Sequence, residues 1–311
     1  MYKVRIITGQ TGTGKTRFAI NLAKRTHSDV LHADARQVYK KLTIVTGKDT
    51  GKSKYYVTDH ISLENNRIAE IGYYTIDGIR VWGYDLIDPR TQFSSYDYKL
   101  VANYILRNAI AADTTPIIVG GTHLYLKHLT QEFTIPVGPE WELRNSLEGL
   151  SVADLQSRLV ALDQTILPLM NNSDAHNPRR LMRKIEIASQ KSNETPPPDK
   201  TLPTIQLDIV EKIGIKFAST EECRNTLKKR VEARLEQGAL NEVTQLLKEG
   251  YTLNDPGLQT IGYTQLAAHL DGLLTLEEAI EAWLTAEIKY AKRQLSFMKQ
   301  DKDIAWQYAI L

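Results

Sequence analysis

Apolar and polar positions along this chain repeat with two different periods, and the switches between them mark its elements. Val4–Thr8 is a β-branched apolar run broken by Arg5 and reads as a strand. Helical spacing follows, with Phe18, Ile20, Leu22 and Ala23 on one apolar side. Val30–His32 reads as a second strand. Tyr73–Ile76 and Ile79–Trp82, joined by Asp77-Gly78, read as a β-hairpin closed by a type I′ turn. Asp85–Pro89 resumes the core pattern and leads to a helix over about Ser95–Ala111, capped by Ser94 or Ser95. Pro116–Val119 is a buried parallel strand. From Pro136 to Gln190 the period is helical throughout, with helices expected over Glu140–Leu147, Val152–Leu162 and Pro178–Gln190. Asn177-Pro178 supplies an N-cap and a proline at the first helical position. Ser192–Pro198 is a loop or border, and Ile205–Phe217 returns as one or two strands. Helices then follow over Thr220–Gln237, Leu240–Lys248, from Thr264, and over Leu276–Lys299. In the last of these, Glu277, Glu278 and Glu281 come early and Lys289, Lys292 and Arg293 late, an order that complements the helix dipole.

Between the first strand and the first helix stands Gly9-Gln10-Thr11-Gly12-Thr13-Gly14-Lys15-Thr16, which fits G-x-x-x-x-G-K-[ST] in the context that pattern requires. Glycines let backbone N–H groups turn towards anionic oxygens, and the helix start adds positive charge. Lys15 would reach a terminal phosphate and the Thr16 hydroxyl would hold Mg²⁺. The bland alternative is a glycine-rich turn before an ordinary surface helix. The expected fold is α/β, a P-loop NTPase-like parallel sheet flanked by helices, with a helical C-terminal region. Residues 1–135 and 200–311 would form the core, 47–84 an extra β-hairpin insertion, and 136–199 a helical insertion domain.

Ligands of such sheets sit beyond the carboxyl ends of the strands. Asp34, just past the second strand, would therefore stand beside the phosphate loop; alternatively it caps a helical stretch beginning near Arg36. Pro116–Val119 ends in Gly120-Gly121-Thr122-His123, where an ordinary ATPase would carry an acidic residue. A glycine pair with a hydroxyl suits close approach to phosphate oxygens. His123 reads as a loop or partly buried histidine.

Composition narrows the class. At 311 residues the chain can bury a large core, and no segment approaches the length of apolar run that spans a bilayer. No leader peptide is expected, and the cytoplasm is the simplest location. A single cysteine, Cys223, excludes an intramolecular disulfide and a Cys-based zinc site. Net charge is only +2, yet basic residues gather at Arg179, Arg180, Arg183 and Lys184, at Arg224–Arg234, and at Lys289–Lys302. One such run is usually a solvated face; three suggest a nucleic-acid partner. The residues alone fit a small-molecule kinase as well as a transferase with a diphosphate leaving group.

Six blocks occur in order: Gly9–Thr16, Ala33–Tyr39 (ADARQVY), Val119–Tyr125 (VGGTHLY), Asn177–Arg183 (NPRRLMR), Gln259–Tyr263 (QTIGY) and Tyr290–Leu295 (YAKRQL). Together they closely resemble the tRNA dimethylallyltransferases, or tRNA isopentenyltransferases, from Lys3 to about Lys299 apart from the hairpin region. The resemblance implies transfer of a dimethylallyl group from dimethylallyl diphosphate to N6 of the adenosine 3′-adjacent to the anticodon, in tRNAs reading codons that begin with U. Gly9–Thr16 would then hold the prenyl diphosphate with Mg²⁺. Asp34 would accept the amine proton, while Lys15, Thr122 and, less firmly aligned, Arg144 would complete the catalytic set. The anticodon stem-loop of tRNA would meet Asp34, Ala35, Arg36 and Gln37, then Arg179, Arg180 and Arg183, then Gln259, Gly262 and Tyr263, and lastly Lys292, Arg293, Gln294 and Lys299. A monomer is expected.

The chain departs from that pattern at Ala35 (usually serine), Gln10 (usually proline), His123 (commonly glycine or methionine) and in the long stretch about 50–84. Rival readings are an adenylate isopentenyltransferase acting on free AMP or ATP, a P-loop small-molecule kinase, and a non-catalytic RNA-binding protein.

Overall fold

The computed structural model describes residues 2–108, 110, 114–130, 139–191 and 205–309. The chain divides into two compact units, Met1–Glu132 with Pro203–Leu311, and Phe133–Leu202. In the first, strands β1 (Tyr2–Gly9), β2 (Val30–His32), β3 (Tyr55–Ser62), β4 (Ile68–Ile76), β5 (Ile79–Trp82), β6 (Ile117–Gly120), β7 (Leu207–Lys216) and β8 (Ala305–Tyr308) form one sheet. Its order is β3-β4-β5-β2-β6-β1-β7-β8. The strands from β5 to β8 are mutually parallel, and β3 and β4 add an antiparallel edge.

β1 lies between β6 and β7, so side chains on both of its faces are covered: Val4 and Ile6 on one, Ile7 on the other, each no more than 2% exposed. Helix α1 (Lys15–Thr26) packs Ala19, Ile20 and Ala23 on the Ile7 face. On the opposite face lie α2 (Ser95–Asn108), α3 (His123–Thr130) and the C-terminal helices. α2 starts at a reciprocal cap in which Ser94 Oγ accepts from the Asp97 N–H and Asp97 accepts from the Ser94 N–H. The end of the helix expected at Ser95–Ala111 falls outside the described residues.

The stretch expected as an added hairpin is part of the sheet. β5 pairs with β2 in parallel, and β4 returns against β5 through Asp77 and Gly78, both at positive φ (51° and 83°), as a type I′ turn requires. Sequence reading missed β3, which pairs with β4, and the four-residue β8. Arg67, in the β3–β4 connection, makes a two-pronged ion pair with the fully buried Asp97 at the start of α2. Tyr74 of β4 donates to Asp85, which also accepts from the buried Lys48. The inserted segment is thus tied to α2 at its middle through Arg67 and closed at its two ends by the Lys48–Asp85 pair.

The second unit contains α4 (Trp141–Leu147), α5 (Val152–Leu162), two single turns α6 (Ile166–Leu169) and α7 (Asn172–Ala175), and α8 (Pro178–Lys191). Leu147, Leu155, Leu159, Leu181 and Ile185 fill its core. α5 opens on a capping box between Ser151 and Asp154, and Asn177 caps α8 through the Arg180 N–H. The border expected at Ser192–Pro198 lies outside the described residues. The chain ends in α9 (Thr220–Glu236), α10 (Ala239–Lys248), α11 (Tyr263–Leu270) and α12 (Leu276–Met298). α12 carries Glu277 and Glu278 in its first turn but no basic residue in its last, so the expected dipole match holds only at its start.

Candidate active site

The glycine loop turns where the parallel sheet opens. Gly14 holds φ 75° at the cap of α1, a left-handed geometry that an L-side chain enters only with strain. The loop is fixed from below by two buried glutamines. Gln10 accepts from the Phe217 N–H (3.2 Å) and donates to the Ala291 carbonyl (3.3 Å). Gln294 accepts from the Thr11 N–H (2.8 Å) and donates to the Gly121 carbonyl (2.9 Å). The Gln10 departure therefore replaces ring rigidity with tethers to the end of β7 and to α12.

A cavity of about 300 Å³ opens above the loop, and Gly12, Lys15, Thr16, His32, Asp34 and Arg230 are on its wall. Asp34 is partly buried; its Oδ1 accepts the Arg36 N–H at 2.8 Å, closing an Asx turn. Residues 35–38 are turns, so the expected alternative of a helix near Arg36 is not found. Lys15 Nζ donates to the Gln10 carbonyl at 3.1 Å. Burial lowers the Lys15 pKa to about 8, with Asp34 acting in the opposite direction and Arg230 in the same one. Burial likewise lowers His32 to about 4 and Arg230 to about 10. Arg230 donates to Thr11 Oγ1 at 3.2 Å, and neither it nor Lys15 makes an ion pair among the described residues. Arg230 was visible in sequence only as one cation in the run Arg224–Arg234; its aim into the cavity depends on how α9 meets the loop.

The Gly120-Gly121-Thr122 end of β6 packs against the turn after β2 and against α12. A Cβ on Gly120 would lie 2.0 Å from the Ala33 carbonyl oxygen, and one on Gly121 2.3 Å from Gln294 Nε2. The glycines admit neighbouring protein atoms. Thr122 Oγ1 accepts the Ala35 N–H at 3.0 Å and bonds the hydroxyl of the partly buried Tyr290, so it steadies the turn that carries Asp34.

Several expected tRNA-facing residues are interior. Gln294 is 5% exposed and Gln37 8%, the latter donating to the Thr46 and Gly47 carbonyls. Tyr263 is fully buried and donates to Glu242, which also accepts the Thr43, Ile44 and Val45 N–H groups. A Cβ on Gly262 would meet Val45 at 2.4 Å and Trp283 at 2.8 Å. Gln294, Tyr263 and Gly262 serve the scaffold; Gln37 is held there through its Nε2, but its Oε1 has no partner among the described residues and the residue is on the cavity wall. Arg36, Gln259, Lys292, Arg293 and Lys299 are exposed, and Ala35 is partly so. In the helical unit Arg179 and Arg180 are exposed, Arg180 pairing with Asp174. Arg144 and Arg183 both bind the fully buried Glu186, which also accepts the Glu140 N–H. Arg144 is thereby committed to an internal ion pair, and its expected catalytic role is not carried forward.

Among the described residues no three His, Cys, Asp or Glu side chains gather to hold a metal. Thr16 Oγ1 on the cavity wall suits Mg²⁺, which binds proteins through one or two oxygens and completes its shell with phosphate and water.

A parallel sheet with this loop after an internal strand, and cations on the cavity above it, defines a P-loop protein for a phosphorylated ligand. The chain belongs to the IPP transferase family, whose model matches residues 37–301. It is 30% identical over 309 residues to a tRNA dimethylallyltransferase of Acaryochloris marina, covering 97% of this chain and 91% of that one. A tRNA dimethylallyltransferase of Anoxybacillus flavithermus is 29% identical over 306 residues, covering 98% and 89%. Among solved structures, the tRNA isopentenylpyrophosphate transferase of Bacillus halodurans superposes with a TM-score of 0.64 at 25% identity, covering 99% of this chain and 90% of that one. A eukaryotic dimethylallyltransferase acting on tRNA shares the fold, with a TM-score of 0.71 at 24% identity, covering 99% and 74%.

Proposed function

We propose that this protein transfers a dimethylallyl group from dimethylallyl diphosphate to N6 of the adenosine 3′-adjacent to the anticodon, in tRNAs reading codons that begin with U. The observation that carries the reading is a single cavity shared by Lys15, Thr16 and Arg230 on one side and the Asp34 carboxylate on the other. Cations facing a carboxylate across one space suit a reaction in which negative charge grows on a leaving group while a proton is released from a nucleophile. In the step, the N6–C1 bond forms and the C1–O bond breaks. The electron pair leaves with diphosphate, and the amine proton passes to Asp34.

An exocyclic adenine amine is a weak nucleophile, because its lone pair is delocalised into the ring. Asp34, held by the Arg36 N–H and by the turn that Thr122 steadies, would orient the amine and take its proton as attack proceeds. Lys15, Arg230 and the loop amides would stabilise the departing diphosphate. Thr16 would hold Mg²⁺, which supplies further charge neutralisation when bound. The adenine must leave its stack to reach Asp34, as in other base-modifying enzymes. Arg36, Arg179, Lys292, Arg293 and Lys299 would lie against the RNA backbone, and the protein would act as a monomer. No helix among the described residues is long and apolar enough to cross a membrane.

The reading is tested with purified protein, labelled dimethylallyl diphosphate, Mg²⁺, and either unmodified tRNA or AMP. Label is expected in tRNA. Label in AMP alone would make the protein an adenylate isopentenyltransferase, and ATP consumption with a phosphorylated product would make it a kinase.

A further inference from the structure

His32 closes β2 and stands on the cavity wall, yet the mechanism above leaves it idle. Its side chain is buried (2% exposed), with the ring against Tyr84, centroids 4.5 Å apart and planes tilted by 37°. Neither ring nitrogen is well served. Nε2 is 3.5 Å from Thr16 Oγ1, the long limit of a hydrogen bond, and Nδ1 is buried with no hydrogen-bond partner among the described residues. Buried polar groups in folded proteins are nearly always bonded. An orphaned buried N–H is rarer than an under-satisfied acceptor, so the ring proton belongs on Nε2, where its contact with Thr16 beside the cavity is long and a ligand oxygen can take the proton's hydrogen bond.

We propose that His32 is a diphosphate-binding residue, donating its Nε2–H to an oxygen of the bound diphosphate next to Thr16. The proposal rests on the diphosphate reading of the cavity. A donor role fits the surroundings better than metal ligation. Were Nε2 to ligate a cation, the ring proton would sit on Nδ1, and metal-bound histidines almost always pass that proton to an acceptor. Nδ1 has none here. A neutral donor also suits the charge balance, because Lys15 and Arg230 already crowd each other and a third cation would add repulsion. The histidine extends the anion cradle by one hydrogen bond without adding charge.

The test is nuclear magnetic resonance on protein carrying ¹⁵N in its histidine rings, titrated with inorganic diphosphate with and without Mg²⁺. His32→Gln assigns the signals. Diphosphate should shift the His32 Nε2 resonance, with the proton on Nε2 before and after. Calorimetry on the same proteins should show His32→Ala binding diphosphate roughly five- to tenfold more weakly, the range of one neutral hydrogen bond. His32→Gln, which keeps an N–H donor, should recover most of that loss. A pure packing role would lower the melting temperature of both variants and leave the wild-type ring signal unmoved by diphosphate, which overturns the proposal. A proton found on Nδ1, with Nε2 broadened by Mn²⁺ in place of Mg²⁺, would overturn it in favour of metal ligation. Failure of the wild type to bind diphosphate or dimethylallyl diphosphate at all would overturn the underlying reading of the cavity, and this assignment with it.

Discussion

Two pairs of cations in this molecule look alike in sequence and differ in what surrounds them. Arg144 and Arg183 converge on Glu186, a carboxylate with no exposed surface, whose oxygens take two guanidinium groups and a backbone N–H. Lys15 and Arg230 converge on an open cavity with no carboxylate in ion-pair range, and burial lowers the pKa of both. The first pair is complete as it stands. The second has carboxylates such as Asp34 near enough to act on it but none in contact, so an anion in the cavity would complete it. The glycine motif marks Lys15 in the sequence, but nothing local separates Arg230 from Arg144 and Arg183; the partner on the other side decides it.

The comparison is broken or sharpened by four measurements. Removing one member of the completed pair, Arg144→Leu, should destabilise the chain by about 1.5–3 kcal/mol, since Glu186 loses its two bonds to Arg144 but keeps Arg183 and the Glu140 N–H. Denaturant melts measure this. An Arg144→Leu protein of normal stability but lost turnover would return that arginine to catalysis.

Removing a member of the open pair should do the reverse. Arg230→Ala is expected to lower turnover by about 10²–10³-fold, the scale of losing one charge-stabilising donor, with little loss of melting temperature. A variant that turns over normally would detach Arg230 from the leaving group.

The third effect is a pH dependence. In the free protein Lys15 is charged below about 8 and loses its proton above it. Binding dimethylallyl diphosphate must then restore that proton, so affinity should fall as pH rises from 8 to 9.5, by up to about tenfold per unit. Lys15→Arg, which stays charged, should give a flat profile. An equal fall in both proteins would place the titrating group elsewhere.

The smallest effect concerns the exposed cations of α12. Arg293→Ala should weaken tRNA binding only a few-fold while reducing the slope of log K against log salt by about one. An unchanged slope would mean that Arg293 faces no phosphate.

What could be read from the sequence follows from how local the cause is. The glycine loop, its strand and its helix were legible because strand, turn and helix are each determined within a few neighbours. The Asp77-Gly78 turn was legible for the same reason. β3 was not, since five consecutive residues from Tyr56 to His60 are exposed on this edge strand and no alternation marks them. Gln10 and Gln294 look like ordinary surface amides. Their inward bonds to Phe217, Ala291, Thr11 and Gly121 join segments more than 170 residues apart in sequence, which no local pattern encodes. Thr122 was picked for its neighbourhood, but the bond by which its hydroxyl holds the Asp34 turn was not legible, because Ala35 lies 87 residues away in sequence. In the tRNA-facing set Gly262, Tyr263 and Gln294 turn inward, while Gln37 bonds inward through Nε2 and still stands on the cavity wall. Which side of a turn or helix meets solvent depends on packing partners distant in the chain.

The Asp34 carboxylate carries the heaviest claim. Single-turnover transfer from labelled dimethylallyl diphosphate to unmodified tRNA, run on the wild type and on Asp34→Asn with tRNA affinity measured in parallel, tests it most directly. Loss of the proton acceptor should slow transfer by about 10²–10⁴-fold while tRNA affinity stays within a few-fold. Transfer at the wild-type rate by Asp34→Asn would contradict the account.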